Sequence, residues 1–142
     1  MEGFYFTHPI EIRYGDLDPQ WHVNNSRYLT FFEQGRFAYL LHLGLWDGKS
    51  FFDLKSIVAD AHISFQAPIK LNQKIFVGVR VQRIGNKSLT FVYSIEDSET
   101  KQVLAGGETV IVTYDYHANA SMRVPDDWRE KISTFEKRIY SE

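Results

Sequence analysis

Two acids one residue apart, Asp16 and Asp18, stand ahead of the most apolar run of the chain, in YGDLDPQWHVNNSRYLTFF beginning at Tyr14. The run after Asn24 and Asn25 has the composition of a helix. The first N–H groups of any helix lack partners within it, and with the helix dipole they favour a developing negative charge. A substrate carbonyl that reaches them finds an oxyanion site. A carboxylate on the loop feeding the helix could approach the same carbonyl carbon. Aspartate ionises near pH 4, so it is charged at neutral pH without tuning. It can attack directly or take a proton from water. The two parts together suffice for acyl-transfer hydrolysis. The same residues also build ordinary turns and caps, so spacing alone leaves a solvated-turn reading of Asp16 and Asp18 open. His22 is read as a loop histidine that at most supports the site, by orienting water or bonding the loop backbone.

Other chemistries find less. No G-x-S-x-G surrounds Ser26 or Ser64. His8, His22, His42, His62 and His117 make no metal spacing, and cysteine is absent. No metal and no separate cofactor are expected. Glycine patterns for nucleotide loops are missing. Glu33, on the polar arc of the central helix, reads as a solvated or salt-bridged acid. His42 reads as packed.

The elements that must position these groups follow from periodicity. Phe4 to Tyr14 alternates as a strand. Residues Asn25 to Leu43 form a helix apolar nearly all round, with Thr30, Glu33 and Gln34 on one arc together with Phe37 and Leu41; Gly44 suits its C-terminal cap. WDGKSFFDLKS is a loop with a short helical turn. From Ser56 the period becomes two. Ile57, Ala59, Ala61, Ile63 and Phe65 fall on one face, and Ile75, Val77, Val79 and Val81 on another. Gly85–Asn86 turns the chain, Leu89, Phe91, Tyr93 and Ile95 resume the alternation, and VLAGGETVIVTYDY is a further strand. Its Gly106–Gly107 pair signals a bulge or a close backbone approach. Pro125, Asp126 and Asp127 open a last helix with Trp128, Ile132, Phe135 and Ile139 as its stripe. A strand, a helix, four strands and a helix predict an α+β fold: a curved antiparallel sheet wrapped about a central helix, one domain over 1–142. Its open edges predict pairing between protomers.

The 142 residues suit one domain with a real core, and 44% hydrophobic content excludes a disordered chain. A net charge of −2 provides no global field for nucleic acid or anionic membrane. No run is long enough to span a bilayer. A cytoplasmic protein is expected.

The stretch YGDLDPQWHVNNSRYLTFFEQGR resembles the signature of hotdog-fold acyl-CoA thioesterases of the 4-hydroxybenzoyl-CoA thioesterase type. ISFQAPIKLNQKI resembles that family's strand–proline–strand passage, and RIGNKSLTFVYSI its hairpin ending in serine. The likeness covers about Ile10 to Tyr114. It implies a hotdog fold and hydrolysis of an acyl-CoA thioester, with coenzyme A as part of the substrate. Asp18 matches the catalytic carboxylate, nucleophile or general base. The Asn24–Asn25–Ser26 region matches the helix start that polarises the carbonyl, through the N–H of Asn25 or Ser26. The nucleotide contacts would fall on Arg83, Lys87 and Ser88, which otherwise read as a solvated charged hairpin. Relatives carry glycine where this chain has Trp21, so the indole either lines the acyl pocket or reroutes the loop. Trp21, Tyr28, Phe31, Phe32 and Trp46 could line a pocket for an aryl or medium-chain acyl group, or belong to the core. The implied assembly is a homodimer or a dimer of dimers, without nucleic-acid or membrane partners. The rival readings are a non-catalytic acyl-CoA-binding module and a dehydratase on the same fold, the latter using Asp18 and His22 as an acid–histidine pair.

Overall fold

The computed structural model describes residues 1–141. The strands are β1 (Phe6–Ile10), β2 (Ser56–Phe65), β3 (Ile75–Ile84), β4 (Ser88–Asp97), β5 (Val103–Asp115) and β6 (Ala120–Ser121); the helices are α1 (Arg27–His42) and α2 (Asp126–Glu136). The main sheet runs β1-β3-β4-β5-β2, antiparallel throughout, with β6 added to β5. The expected architecture is present. The inward faces of β3 and β4, Ile75, Val77, Val79, Val81, Leu89, Phe91, Tyr93 and Ile95, are all buried. Tyr28, Phe31, Phe32, Tyr39 and Leu40 of α1 join the same core.

Close approach of α1 to the sheet depends on missing side chains. A Cβ on Gly35 would lie 2.7 Å from a Val77 methyl, and one on Gly107 would lie 2.6 Å from the Phe32 ring and against the His62 carbonyl. Gly107 is thus the close approach that the glycine pair signalled. It lets Phe32 stack on Tyr93 with ring centroids 4.5 Å apart. Gly44 takes φ 72° and closes α1, as its position predicts.

Several boundaries differ from the sequence reading. The first strand stops at Ile10, and Tyr14–Asp16 is a 3-10 turn, because the Asp16 carboxylate takes the Arg13 N–H. α1 begins at Arg27 rather than Asn25, since Asn24 and Asn25 are used as a turn. Ile139 lies past the end of α2 and is 97% exposed, because Lys137 turns left-handed at φ 56° and breaks the stripe. The β2 face also changes. A bulge at Ala59 pairs Val58 with the buried Ile111, and Ala61, Ile63 and Phe65 with Thr109, Gly107 and Ala105. Directly opposed residues share a face. Val58, Ala61, Ile63 and Phe65 therefore face the helix side, and Ile57 points away. A second bulge at Gln82 turns Arg83 outward and Ile84 into the core.

Candidate active site

The loop between β1 and α1 is built almost wholly from its own hydrogen bonds. Asp16 is 1% exposed. Its carboxylate takes the Arg13 N–H at 2.9 Å and the Arg13 guanidinium at 3.3 Å, and Arg27 Nε stands 3.5 Å away. Its carbonyl accepts the Asn24 N–H at 2.8 Å. This acid fixes both ends of the loop. Between those ends Leu17 bridges Val23, the Asp18 N–H donates to the His22 carbonyl at 2.9 Å, and the Trp21 N–H to the Asp18 carbonyl at 3.0 Å. The loop is anchored outward by the Val23 N–H on the Ile69 carbonyl, 2.8 Å, and by a bridge from His22 to Lys70.

Asp18 sits at the turn of this small hairpin. Its Oδ1 accepts from the Gln20 N–H at 2.9 Å and the His22 N–H at 3.3 Å. Its Oδ2 has no partner among the described residues. One oxygen is held and the other is left without a protein partner; Asp18 lines a cavity of about 310 Å³ together with Tyr14, Leu17, Pro19 and Trp21. His22 touches Asp18 only through its backbone; its ring makes no hydrogen bond among the described residues. Trp21 answers the question its identity raised. It adopts φ 64°, the left-handed conformation that glycine favours. The loop therefore keeps a glycine-like path, and the indole, 62% exposed, packs edge-on to Tyr14 at the cavity wall.

The mouth of α1 separates the two candidate donors. The Ser26 N–H is taken by Asn24 Oδ1 at 2.9 Å and the Arg27 N–H by the Asn24 carbonyl at 2.9 Å. The Tyr28 N–H reaches the Asn25 carbonyl at 3.4 Å. The Asn25 N–H has no partner among the described residues. Asn24 satisfies its neighbours and leaves one unpaired amide at the helix threshold.

Tyr28 is a site neighbour that the sequence left undecided between pocket and core. It is buried beside Ile69 and packs edge-on to Phe65 with centroids 4.8 Å apart. Burial pushes its phenol up, the Ile69 backbone opposes that shift, and the charge of Asp18 adds to it. The signal was its position in the first turn of α1, just past Asn25.

Arg83, Lys87 and Ser88 are not brought to this place. Ile10 pairs with Ile75, so the loop holding Asp18 lies at the start of β3, whereas these three residues lie at its far end. Ten strand residues span about 30 Å. Arg83 and Lys87 are exposed and make no ion pair among the described residues. Glu33, half exposed, faces Arg36 at 3.7 Å. Arg36 is buried and donates to the Tyr93 hydroxyl at 3.2 Å. His42 packs between Phe6 and Phe135. A larger groove of about 650 Å³, along Pro9–Ile12 and Asn72–Phe76, holds none of the candidate residues. No cluster of three or more potential metal ligands occurs among the described residues, and no described helix is long and apolar enough to cross a membrane.

Comparison with known proteins bears on this arrangement. A family model described as the Thioesterase-like superfamily matches residues 12–132. The long-chain acyl-CoA thioesterase FadM of Escherichia coli (strain K12) is 25% identical over 128 residues, covering 90% of this chain and 97% of that protein. A thioesterase from Thermus thermophilus, crystallised with coenzyme A and Zn, superposes with TM-score 0.86 at 29% identity, over 98% of this chain and 99% of the other. A 1,4-dihydroxy-2-naphthoyl-CoA thioesterase from Synechocystis shares the fold at TM-score 0.79 and 19% identity, covering 89% and 94% of the two chains.

Proposed function

Since this chain belongs to the Thioesterase-like superfamily, we propose that it hydrolyses an aryl- or medium-chain acyl-CoA thioester to the free acid and coenzyme A at the threshold of α1. The observation that carries this reading is the presence on one loop of two groups with free hydrogen-bonding capacity: Asp18 Oδ2 and the Asn25 N–H, each without a partner among the described residues. The amide stabilises the oxygen of the carbonyl as it gains charge. Oδ2 takes a proton from water, whose oxygen adds to the carbonyl carbon, or adds there itself and forms an anhydride that water then cleaves. In both routes the C–S bond breaks as the tetrahedral adduct collapses, and the thiolate leaves as coenzyme A. Trp21 and Tyr14 wall the entrance.

The position of Arg83, Lys87 and Ser88 at the far end of β3 from Asp18 supports nucleotide contacts that come from a second protomer. The sheet offers the means. β2 is an edge strand along its whole length, and Ile57, Val58 and Phe65 on it are 45%, 46% and 50% exposed. Antiparallel pairing of β2 with its copy builds a homodimer and sets the Asp18 end of one protomer beside the Arg83–Ser88 end of the other. Arg83 and Lys87 then supply charge for the phosphates. A dehydratase would need the His22 ring on the Asp18 carboxylate, and the bond present is to the backbone N–H instead.

The test is thiol release from purified protein. Asp18→Asn is expected to lower kcat on decanoyl-CoA or benzoyl-CoA about 10²–10⁴-fold with an unchanged melting curve. Wild-type rates in that variant contradict the reading. Tight binding of acyl-CoA without thiol release by the wild type would favour the binding-module alternative.

A further inference from the structure

Resting on the thioesterase reading above, we infer that Phe51 of the partner subunit completes the acyl pocket and sets the chain-length preference of the site. Two aromatic groups lie on the helix side of the sheet, at opposite ends of β2. Beside the Asp18 loop, Tyr28 packs on Phe65, the last residue of the strand. At the other end Phe51 packs on Trp46 and Phe37, with centroids 5.4 Å and 5.9 Å away. Phe51 stands five residues before Ser56, the first residue of the strand, and is 66% exposed. In each group one ring is left half or more exposed, Phe65 at 50% and Phe51 at 66%, while Tyr28 beneath Phe65 is buried.

The strand itself selects how two copies meet. A register that overlaps all of β2 sets Phe65 against Ser56 of the other copy, and Ile63 against Val58. In a regular strand those pairs would point to opposite faces. The bulge at Ala59 removes the conflict, because it puts Ser56 and Val58 on the same face as Ile63 and Phe65. Shifting the pairing by one residue either way breaks this agreement at both ends. The full-length register therefore brings the open side of the Phe65–Tyr28 pair to the Phe51 end of the second copy, on the side of the sheet where α1 lies. An apolar channel lined by Phe65 of one protomer, backed by the buried Tyr28, and by Phe51 of the other then leads away from Asp18. Its ligand is an acyl chain long enough to reach from the carbonyl to that ring; a short acyl group ends before it.

Three proteins test this: wild type, Phe51→Ala and the bulkier control Phe51→Leu, each assayed by thiol release on butanoyl-CoA and dodecanoyl-CoA. Phe51→Ala is expected to lower the ratio of kcat/KM for dodecanoyl-CoA over butanoyl-CoA about tenfold, and Phe51→Leu to restore most of it. Phe51→Ala and Asp18→Asn chains are then co-expressed with different tags and purified as mixed dimers. Only the chain with Asp18 can turn over, and in the mixed dimer its partner carries Phe51. Recovery of the wild-type ratio supports the assignment. An unchanged ratio in Phe51→Ala overturns the specificity role, and a lowered ratio that mixing does not restore places Phe51 in the same subunit as its Asp18; in both outcomes thiol release by the wild type keeps the thioesterase reading intact. A wild type that releases no thiol from either substrate overturns both.

Discussion

The two edges of the sheet are finished in opposite ways. On one side β1 covers β3 only as far as Val79. Beyond it the C-terminal segment takes over with side chains. Glu136 accepts the Val81 N–H at 3.2 Å and the Tyr39 hydroxyl at 2.6 Å, and the Tyr140 hydroxyl donates to the Val81 carbonyl at 2.7 Å. A carboxylate and a phenol stand where a neighbouring strand's amide and carbonyl would. β1 also carries Pro9, which cannot donate to an incoming strand. On the other side β2 has no proline and a row of exposed apolar side chains. One edge is sealed against pairing and the other is left available for it. The contrast separates an edge finished by its own side chains from one left bare, on which the proposed pairing and shared site rest.

Breaking the bare edge has the largest expected effect. Val58→Lys places a charge on the helix side of β2, where the second copy would pack. Sedimentation should find a monomer, the circular dichroism melt should move little, and thiol release should fall about a hundredfold or more, because a shared site loses its other half. A monomer with wild-type turnover would show that each chain is complete alone. Glu136→Ala acts at the sealed edge. It leaves a buried N–H and a buried hydroxyl unpaired, at a cost of about 2–3 kcal/mol, seen as a lowered urea midpoint with kcat and dimer mass unchanged. Loss of turnover without loss of stability would reverse the contrast.

Alkaline titration sharpens it further. Burial pushes the phenols of Tyr39, Tyr93 and Tyr140 up, and the Glu136 carboxylate adds to the push on Tyr39 and Tyr140. A group whose pKa is raised by folding holds its proton more tightly in the folded state. Stability is therefore complete below the ordinary tyrosine value of about 10 and is lost as pH rises past it, since only the unfolded chain ionises. Urea midpoints should stay level to about pH 9 and then fall, and Tyr39→Phe should make the fall shallower. The smallest effect belongs to Trp21→Gly. Glycine suits φ 64°, which offsets its greater freedom when unfolded, so stability should change by less than about 1 kcal/mol. A change in the ratio of KM values for aryl and alkyl substrates would place the indole against the acyl group.

The late strands were legible in the sequence because their alternation is sustained over about ten residues each, their antiparallel order because short turns join most of them, and the central helix because its apolar run is too long for a strand. The place of Asp18 in a turn ahead of the helix was legible because its loop is contiguous and its hydrogen-bond partners lie within four residues. Which of the Asn25 and Ser26 N–H groups is left without a partner was beyond the sequence, since it turns on Asn24 folding its side chain back onto one N–H and not the other. The bulges at Ala59 and Gln82 were hidden for a related reason: each adds one residue to an unbroken alternation and reverses the faces on one side of it. Glu136 looked like one acid beside an apolar stripe, and its partner Val81 lies 55 residues away. Such a bond has no local signature.

The measurement that reaches the central claim most directly is a crystal structure of Asp18→Asn with an acyl-CoA bound. The account predicts the thioester oxygen at hydrogen-bond distance, about 2.7–3.1 Å, from the Asn25 N–H, the carbonyl carbon beside residue 18, and the acyl tail running toward Phe51 of the partner subunit. A thioester bound with its carbonyl away from the mouth of α1, while the Asn25 N–H bonds only water, would contradict it.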